Sequence, residues 1–128
     1  MAMDFNGDWK LYEQENAEEF LKAISAPVMY LKMMNEVKPV TTIHQHGDEF
    51  TICVKSPIRK HTNSFTIGTE TQFNTIDGKQ IKGIARLIDG KIVIETEKFT
   101  HVREIQGEEM IETIASGNAQ LIRRSRRV

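Results

Sequence analysis

Residues 99–105 read FTHVREI, and in an extended chain every second side chain falls on one face, so Phe99, His101, Arg103 and Ile105 are grouped together. Residues 110–114 group Met110, Glu112 and Ile114 in the same way. The terminal LIRRSRRV divides into Leu121, Arg123, Ser125 and Arg127 against Ile122, Arg124, Arg126 and Val128. An imidazole, guanidiniums and a carboxylate set among large apolar residues do not suit a dry core, where an unpaired ion costs several kcal/mol. Small residues share an inward face too, in Ile81, Gly83, Ala85 and Leu87. Charged and small side chains together predict a solvated cavity for a ligand with a large apolar body and an anionic group. Guanidinium and imidazole meet such an anion with charge-assisted hydrogen bonds.

Alternation alone leaves the direction of the last strand open, because each of its faces carries two arginines. A solvated basic end is one reading. If Arg123 points inward, two roles remain: an ion pair with Glu112 on a neighbouring strand, or contact with a ligand. Phe65 and Phe99 are core aromatics in a packed interior and cavity lining in a hollow one.

Other chemistry finds little support. No nucleophile, base and orienting group stand together, and no glycine-rich phosphate loop occurs, so an enzyme is not expected. His44 and His46 form an i, i+2 pair without a third ligand at suitable spacing, so neither a metal nor a cofactor is expected. Cys53 is the single cysteine, which suits a reducing cytoplasmic compartment. The 17 basic and 18 acidic residues leave a net charge of −1, so attraction to nucleic acid or an anionic membrane would need a local patch.

The elements that position these residues follow from texture. With 128 residues, 39% hydrophobic and 27% charged, the chain suits one globular domain over 1–128. Residues 7–15 alternate as a strand that groups Trp9, Leu11 and Glu13. Asn16 is placed to cap a helix whose first turn holds Glu18 and Glu19 and whose apolar face holds Phe20, Leu21 and Ile24. Pro27 ends it, VMYLKMMNE offers a second short helix, and Pro39 closes the segment. Turn signals then recur every eight to twelve residues, among them HGDE, IGTE, IDGK twice, QGEE and SGNA. Short Ile-, Val-, Thr- and Phe-rich runs between them predict successive antiparallel hairpins closed into a barrel, which removes exposed edges.

The stretches FNGDWKLYEQENAEEFLKAI, NSFTIG, TIDGK and EKFTHVREIQGEEMIETI, running on to LIRRSRRV, resemble the intracellular lipid-binding proteins, that is, the fatty-acid-binding protein family. Within it they look most like the liver basic, or bile-acid-binding, branch. The resemblance covers the full chain. It implies an all-β fold, a ten-stranded antiparallel up-and-down clamshell β-barrel with a helix-turn-helix lid, about 17–35, inserted between the first two strands. It turns Arg123 and Ser125 into the cavity and Arg124 and Arg126 outward. It adds Lys79 and Thr41 to His101, Arg103 and Glu112 as polar ligand contacts. Arg103 is often glutamine in relatives, Glu112 replaces an amide, and Ala17 stands where an aromatic is usual.

The expected function is therefore a monomeric, non-enzymatic cytosolic carrier of the liver type. It would bind bile acids foremost and long-chain fatty acids second, the order resting on the room that Gly83, Ala85 and Ala17 would leave for a steroid. The ligand site would comprise Lys79, His101, Arg103, Arg123, Ser125, Glu112, Thr41, Phe65, Phe99, Phe20 and Ile114. Transfer would involve transient contact with anionic membranes and no nucleic acid. Entry would require opening of the lid and of the turns near Pro57 and Asp77. The alternative is a basic-patch module that uses Arg124, Arg126, Arg127 and Lys60 to bind membrane or nucleic acid.

Overall fold

The computed structural model describes residues 4–57, 59–75 and 78–128. The turn expected at Asp77 lies outside the described residues. A first strand, β1 (Gly7–Glu15), is followed by two helices, α1 (Ala17–Ala23) and α2 (Met29–Glu36). Nine strands follow: β2 (Val40–His46), β3 (Glu49–Lys55), β4 (Lys60–Thr66), β5 (Glu70–Asn74), β6 (Gln80–Ile88), β7 (Lys91–Thr96), β8 (Thr100–Gln106), β9 (Glu109–Ser116) and β10 (Ala119–Arg127). They form one ten-stranded antiparallel sheet in the order β4-β3-β2-β1-β10-β9-β8-β7-β6-β5. Neighbours in this order are consecutive in sequence except β1 and β10, which close the chain's two ends onto each other. This is the nearly closed clamshell barrel, with both helices between β1 and β2, that the sequence predicts.

Among the described residues no backbone ladder joins β4 to β5, and side-chain amides bridge the gap. The Asn74 backbone N–H donates to Asn63 Oδ1 at 2.7 Å, Asn63 Nδ2 donates to the Asn74 carbonyl at 3.2 Å, and Asn74 Nδ2 donates to the Thr62 carbonyl at 2.9 Å. Backbone groups at this seam are thereby satisfied without continuous strand pairing.

The interior holds two apolar clusters. The lower one joins Phe5, Trp9, Ile43 and Met110 to the aromatic series Phe50, Phe65 and Phe73, whose successive ring centroids are 5.4 Å apart. The Trp9 indole N–H donates to the Phe5 carbonyl at 3.0 Å, so this buried ring leaves no unsatisfied donor. The upper cluster lies beneath the helices and joins Ala17, Phe20, Leu21, Ile24 and Met34 to Ile114 and Leu121. Helix α1 seats its apolar face on β9 and β10. Phe99 packs against both clusters.

Four local expectations change for identifiable reasons. Asn16 precedes α1 in a left-handed conformation, φ 65°, and makes no side-chain cap; asparagine tolerates this region well. At the other end, Ser25 N–H reaches the Lys22 carbonyl and Ala26 N–H the Leu21 carbonyl, a Schellman closure that ends α1 before Pro27. In β1 a bulge between Leu11 and Glu13 inserts Tyr12, so Glu13 shifts to the exposed side and does not follow Trp9 and Leu11 inward. Leu87, grouped with Ile81 by alternation, is 37% exposed at the end of β6, where the strand leaves the core.

Candidate functional site

Strands β8, β9 and β10 bring Arg103, Glu112 and Arg123 into one row. Glu112 is the direct register partner of Arg103 on one side and of Arg123 on the other. The row is not symmetric. Glu112 Oε1 lies 2.9 Å from His101 Nε2, which donates to the ionised carboxylate, and 3.4 Å from Arg103 Nε, an ion-pair contact without hydrogen-bond geometry. Arg123 makes no ion pair with Glu112, and its buried Nε has no hydrogen-bond partner among the described residues. Of the two roles open to Arg123, the ion pair with Glu112 is therefore not formed, and Glu112 pairs with Arg103 and His101 instead. The carboxylate has a guanidinium on each side and takes the one whose strand also supplies a histidine.

Burial acts against the charge on Glu112, but Arg103 and the bond from His101 outweigh it and hold the carboxyl well below its usual range; Arg123 adds the weakest pull. His101 is lowered to about 4, first by burial and next by Arg103, against the opposing effect of Glu112. His61, across the cavity, is lowered too, by burial and then by Arg59, Arg103 and Arg123. Both imidazoles are thus neutral near pH 7, and the guanidiniums carry the positive charge.

These groups open onto a cavity between the two apolar clusters, about 760 Å³ of empty space with its mouth and the adjoining open solvent included. Of the residues predicted from sequence, Phe20, Thr41, Phe65, Phe99, His101, Arg103, Glu112, Ile114 and Arg123 line it. Arg123 also borders an opening beside α2, with Met33, Met34, Val37 and Arg59 on its walls.

Two predicted residues lie elsewhere. Ser125 is buried, paired with Leu11 and Met110, below the cavity and not on its wall. Lys79 borders a separate depression with Lys98, Glu97 and Gln80. The space attributed to Gly83 is also taken: a Cβ there would stand 2.7 Å from the Glu95 carbonyl oxygen and 2.8 Å from Thr96 Cγ2. Its missing side chain admits the neighbouring strand. Ala85 and Ala17 are packed inside the lower and upper clusters respectively, so none of the three lines the cavity. Conversely, sequence reasoning passed over Asn63 and His61 as lining residues. Their alternation with Phe65 along β4 carried the signal.

The remaining terminal arginines are engaged on the outside. Arg124 Nη1 lies 3.4 Å from Glu13 and 3.3 Å from Glu15. The Arg126 guanidinium lies 4.0 Å over the Tyr12 ring, whose hydroxyl donates to Glu109. Arg127 covers Trp9 at 4.1 Å and pairs with Glu108 at 3.5 Å.

The buried histidine gives stability a pH dependence. An unfolded imidazole takes up a proton near pH 6.5, the folded one only near about 4. The unfolded state therefore binds more protons in that window, and stability falls as pH drops from 6.5 toward 4, by up to about 1.4 kcal/mol per pH unit from this group. His61 acts in the same direction. His101→Gln keeps a donor for Glu112 and removes the titration, so urea melts between pH 7 and 4.5 should show a shallower loss than in the parent. Equal slopes would contradict the assignment.

A family model described as the lipocalin / cytosolic fatty-acid binding protein family matches residues 3–128. The liver fatty acid-binding protein of Schroederichthys bivius is 47% identical over 126 residues, 98% of this chain and 100% of the relative. Gastrotropin of Oryctolagus cuniculus is 32% identical over 127 residues, 98% and 99% of the two chains. Among solved structures, a Schistosoma mansoni fatty acid binding protein in complex with arachidonic acid superimposes with a TM-score of 0.90 at 26% identity, covering 97% of this chain and 96% of that one.

Proposed function

Because the chain belongs to the lipocalin / cytosolic fatty-acid binding protein family, whose members are carriers and not enzymes, we propose that it carries long-chain fatty acids, with the carboxylate on Arg123 and the acyl chain among Phe20, Phe65, Phe99 and Ile114. The observation that carries this reading is the buried Arg123 Nε, which has no hydrogen-bond partner among the described residues, at the edge of the cavity. A carboxylate there supplies the missing acceptor and the countercharge at once. The Schistosoma mansoni relative, in complex with arachidonic acid, supports the ligand class.

Bile acids are the second reading. Thr41, Asn63, Asn74, Thr75 and His61 place polar atoms at several points of the wall, where ring hydroxyls could use them and an acyl chain could not. The small-residue argument that favoured a steroid does not support that order, since Gly83, Ala85 and Ala17 are occupied in packing. Oleate is accordingly expected to bind at least as tightly as cholate in titration calorimetry. Stoichiometric cholate uptake with no oleate uptake would reverse the assignment.

The carrier would act as a monomer in the cytosol and touch anionic membranes transiently. Val28 and Met29, 83% and 69% exposed at the start of α2, would meet the lipid. No helix among the described residues is long and apolar enough to cross a membrane. A purely basic docking surface has less support, because Arg124, Arg126 and Arg127 are held by Glu13, Glu15, Glu108 and two aromatic rings.

A further inference from the structure

Strands β4 and β5 are the two ends of the sheet, and side chains close the barrel wall between them. β3 pairs with β4, and β5 with β6, along their whole lengths, so widening the barrel at those joints breaks a continuous ladder. Across the β4–β5 gap two amides do the holding among the described residues. Asn63 grips the Asn74 backbone through both Oδ1 and Nδ2, and Asn74 Nδ2 grips the Thr62 carbonyl. Asn63 and Asn74 also line the cavity, as do the adjacent His61 and Thr75. We propose that Asn74 is a specificity-determining residue: its amide clasps this gap and so limits how wide a rigid ligand body the cavity admits. This rests on the reading that the ligand lies in the cavity, and it names what selects between the two ligand classes.

Two kinds of contact cross the gap. Lower down, Phe65 on β4 and Phe73 on β5 meet with ring centroids 5.4 Å apart and planes tilted by 56°. Such apolar contact is non-directional, and the rings can slide as the strands separate. A hydrogen bond weakens steeply with angle and distance, so the amides set the separation. Asn74 is positioned for this. It ends β5 as the register partner of Gln80, and Gln80 Nε2 donates to Asn74 Oδ1 at 3.3 Å, which leaves Nδ2 for the Thr62 carbonyl. An acyl chain is narrow and bends to fit, so the clasp stays shut around it. A fused four-ring body is wider and does not bend; it gains room by spreading β4 from β5, at the expense of these bonds. Selectivity is the difference between two affinities, and the clasp acts on one of them.

The test compares cholate with oleate. Each carries one carboxylate at pH 7, so the head-group contribution cancels in the ratio of their affinities. Asn74→Leu keeps the branching of the side chain and removes its donor, while the bonds from Asn63 to the backbone of residue 74 remain. One net hydrogen bond corresponds to about fivefold in an equilibrium constant, and the cholate-to-oleate affinity ratio from calorimetry should rise by that factor. A second measurement needs no variant. The Asn74 N–H donates to Asn63 Oδ1 across the gap at 2.7 Å. Its hydrogen exchange should be equally slow in the free and oleate-bound parent, and several-fold faster in the cholate complex.

An unchanged ratio overturns the inference. So does a ratio that falls, which would make Asn74 a direct contact for a ring hydroxyl. Equal exchange of the Asn74 N–H in the two complexes is equally fatal, and it decides alone if Asn74→Leu does not fold. Should the parent take up oleate but no cholate, cholate uptake has to appear in Asn74→Leu. Failure of the underlying reading looks different: the parent itself would then take up neither ligand.

Discussion

Arg123→Leu is expected to lose fatty-acid affinity by roughly 30-fold to several thousand-fold, the range for removing one partner of a buried charge pair, yet to be no less stable than the parent without ligand. The two effects have one cause. In the free protein the buried Arg123 Nε has no partner among the described residues, and an unsatisfied buried donor costs about 1–3 kcal/mol, more on a charged group. Arginine does not escape by losing its proton. Leucine removes that cost and with it the countercharge for the ligand. Had Arg123 been the partner of Glu112, the same substitution would have stranded a buried carboxylate; because Glu112 is held by Arg103 and His101, it does not. Arg124→Ala and Arg126→Ala should leave ligand affinity within about twofold, since their guanidiniums are engaged outside the barrel. Calorimetry with oleate and urea melts of the three variants test this together. Ligand loss in the outer variants with retention in Arg123→Leu would show that the strand binds its ligand from the other face.

Most of this arrangement is legible in the sequence, and what is not has physical reasons. Period-two alternation depends on the backbone alone, so it places His101, Arg103 and Glu112 on inward faces with no knowledge of partners. It breaks where the ladder does. The bulge at Tyr12 reverses the phase of β1, and nothing in the composition of LYEQE announces it. Alternation also says that a residue points inward but not at what height. Arg123 and Ser125 share a face, yet one reaches the cavity and the other is buried below it beside Met110. The type of a residue is equally ambiguous: glycine at 83 signals close approach, and whether a ligand or the neighbouring strand makes that approach depends on the Glu95 carbonyl. The choice of Glu112 between two guanidiniums is the least legible feature, because both are register neighbours and only the geometry across three strands separates them.

That choice leads to the largest expected change in stability. Arg103→Leu alone should be buffered, since Glu112 retains Arg123 as a second possible partner in its row. Arg103→Leu combined with Arg123→Leu removes both, leaving a buried carboxylate with only a neutral histidine beside it. Breaking a buried pair in this way costs about 3–5 kcal/mol, so the double variant should lose far more than the two single variants added together. The sign of the pH dependence should also reverse. In the parent the Glu112 carboxyl is held below its ordinary value, so its contribution is present above the unfolded pKa and lost as pH falls. Without either guanidinium, only the bond from His101 opposes burial, and burial raises that pKa; the contribution is then present below the unfolded pKa and is lost as pH rises through the raised one. Replacing Glu112 by leucine as well removes the stranded charge, and apolar substitution of such a group is neutral or stabilising by about 1–4 kcal/mol. Urea melts at pH 4.5 and 7 on the single, double and triple variants measure all of this. Additive losses in the double variant, or a triple variant no more stable than the double, would mean that Glu112 does not depend on the arginines of its row.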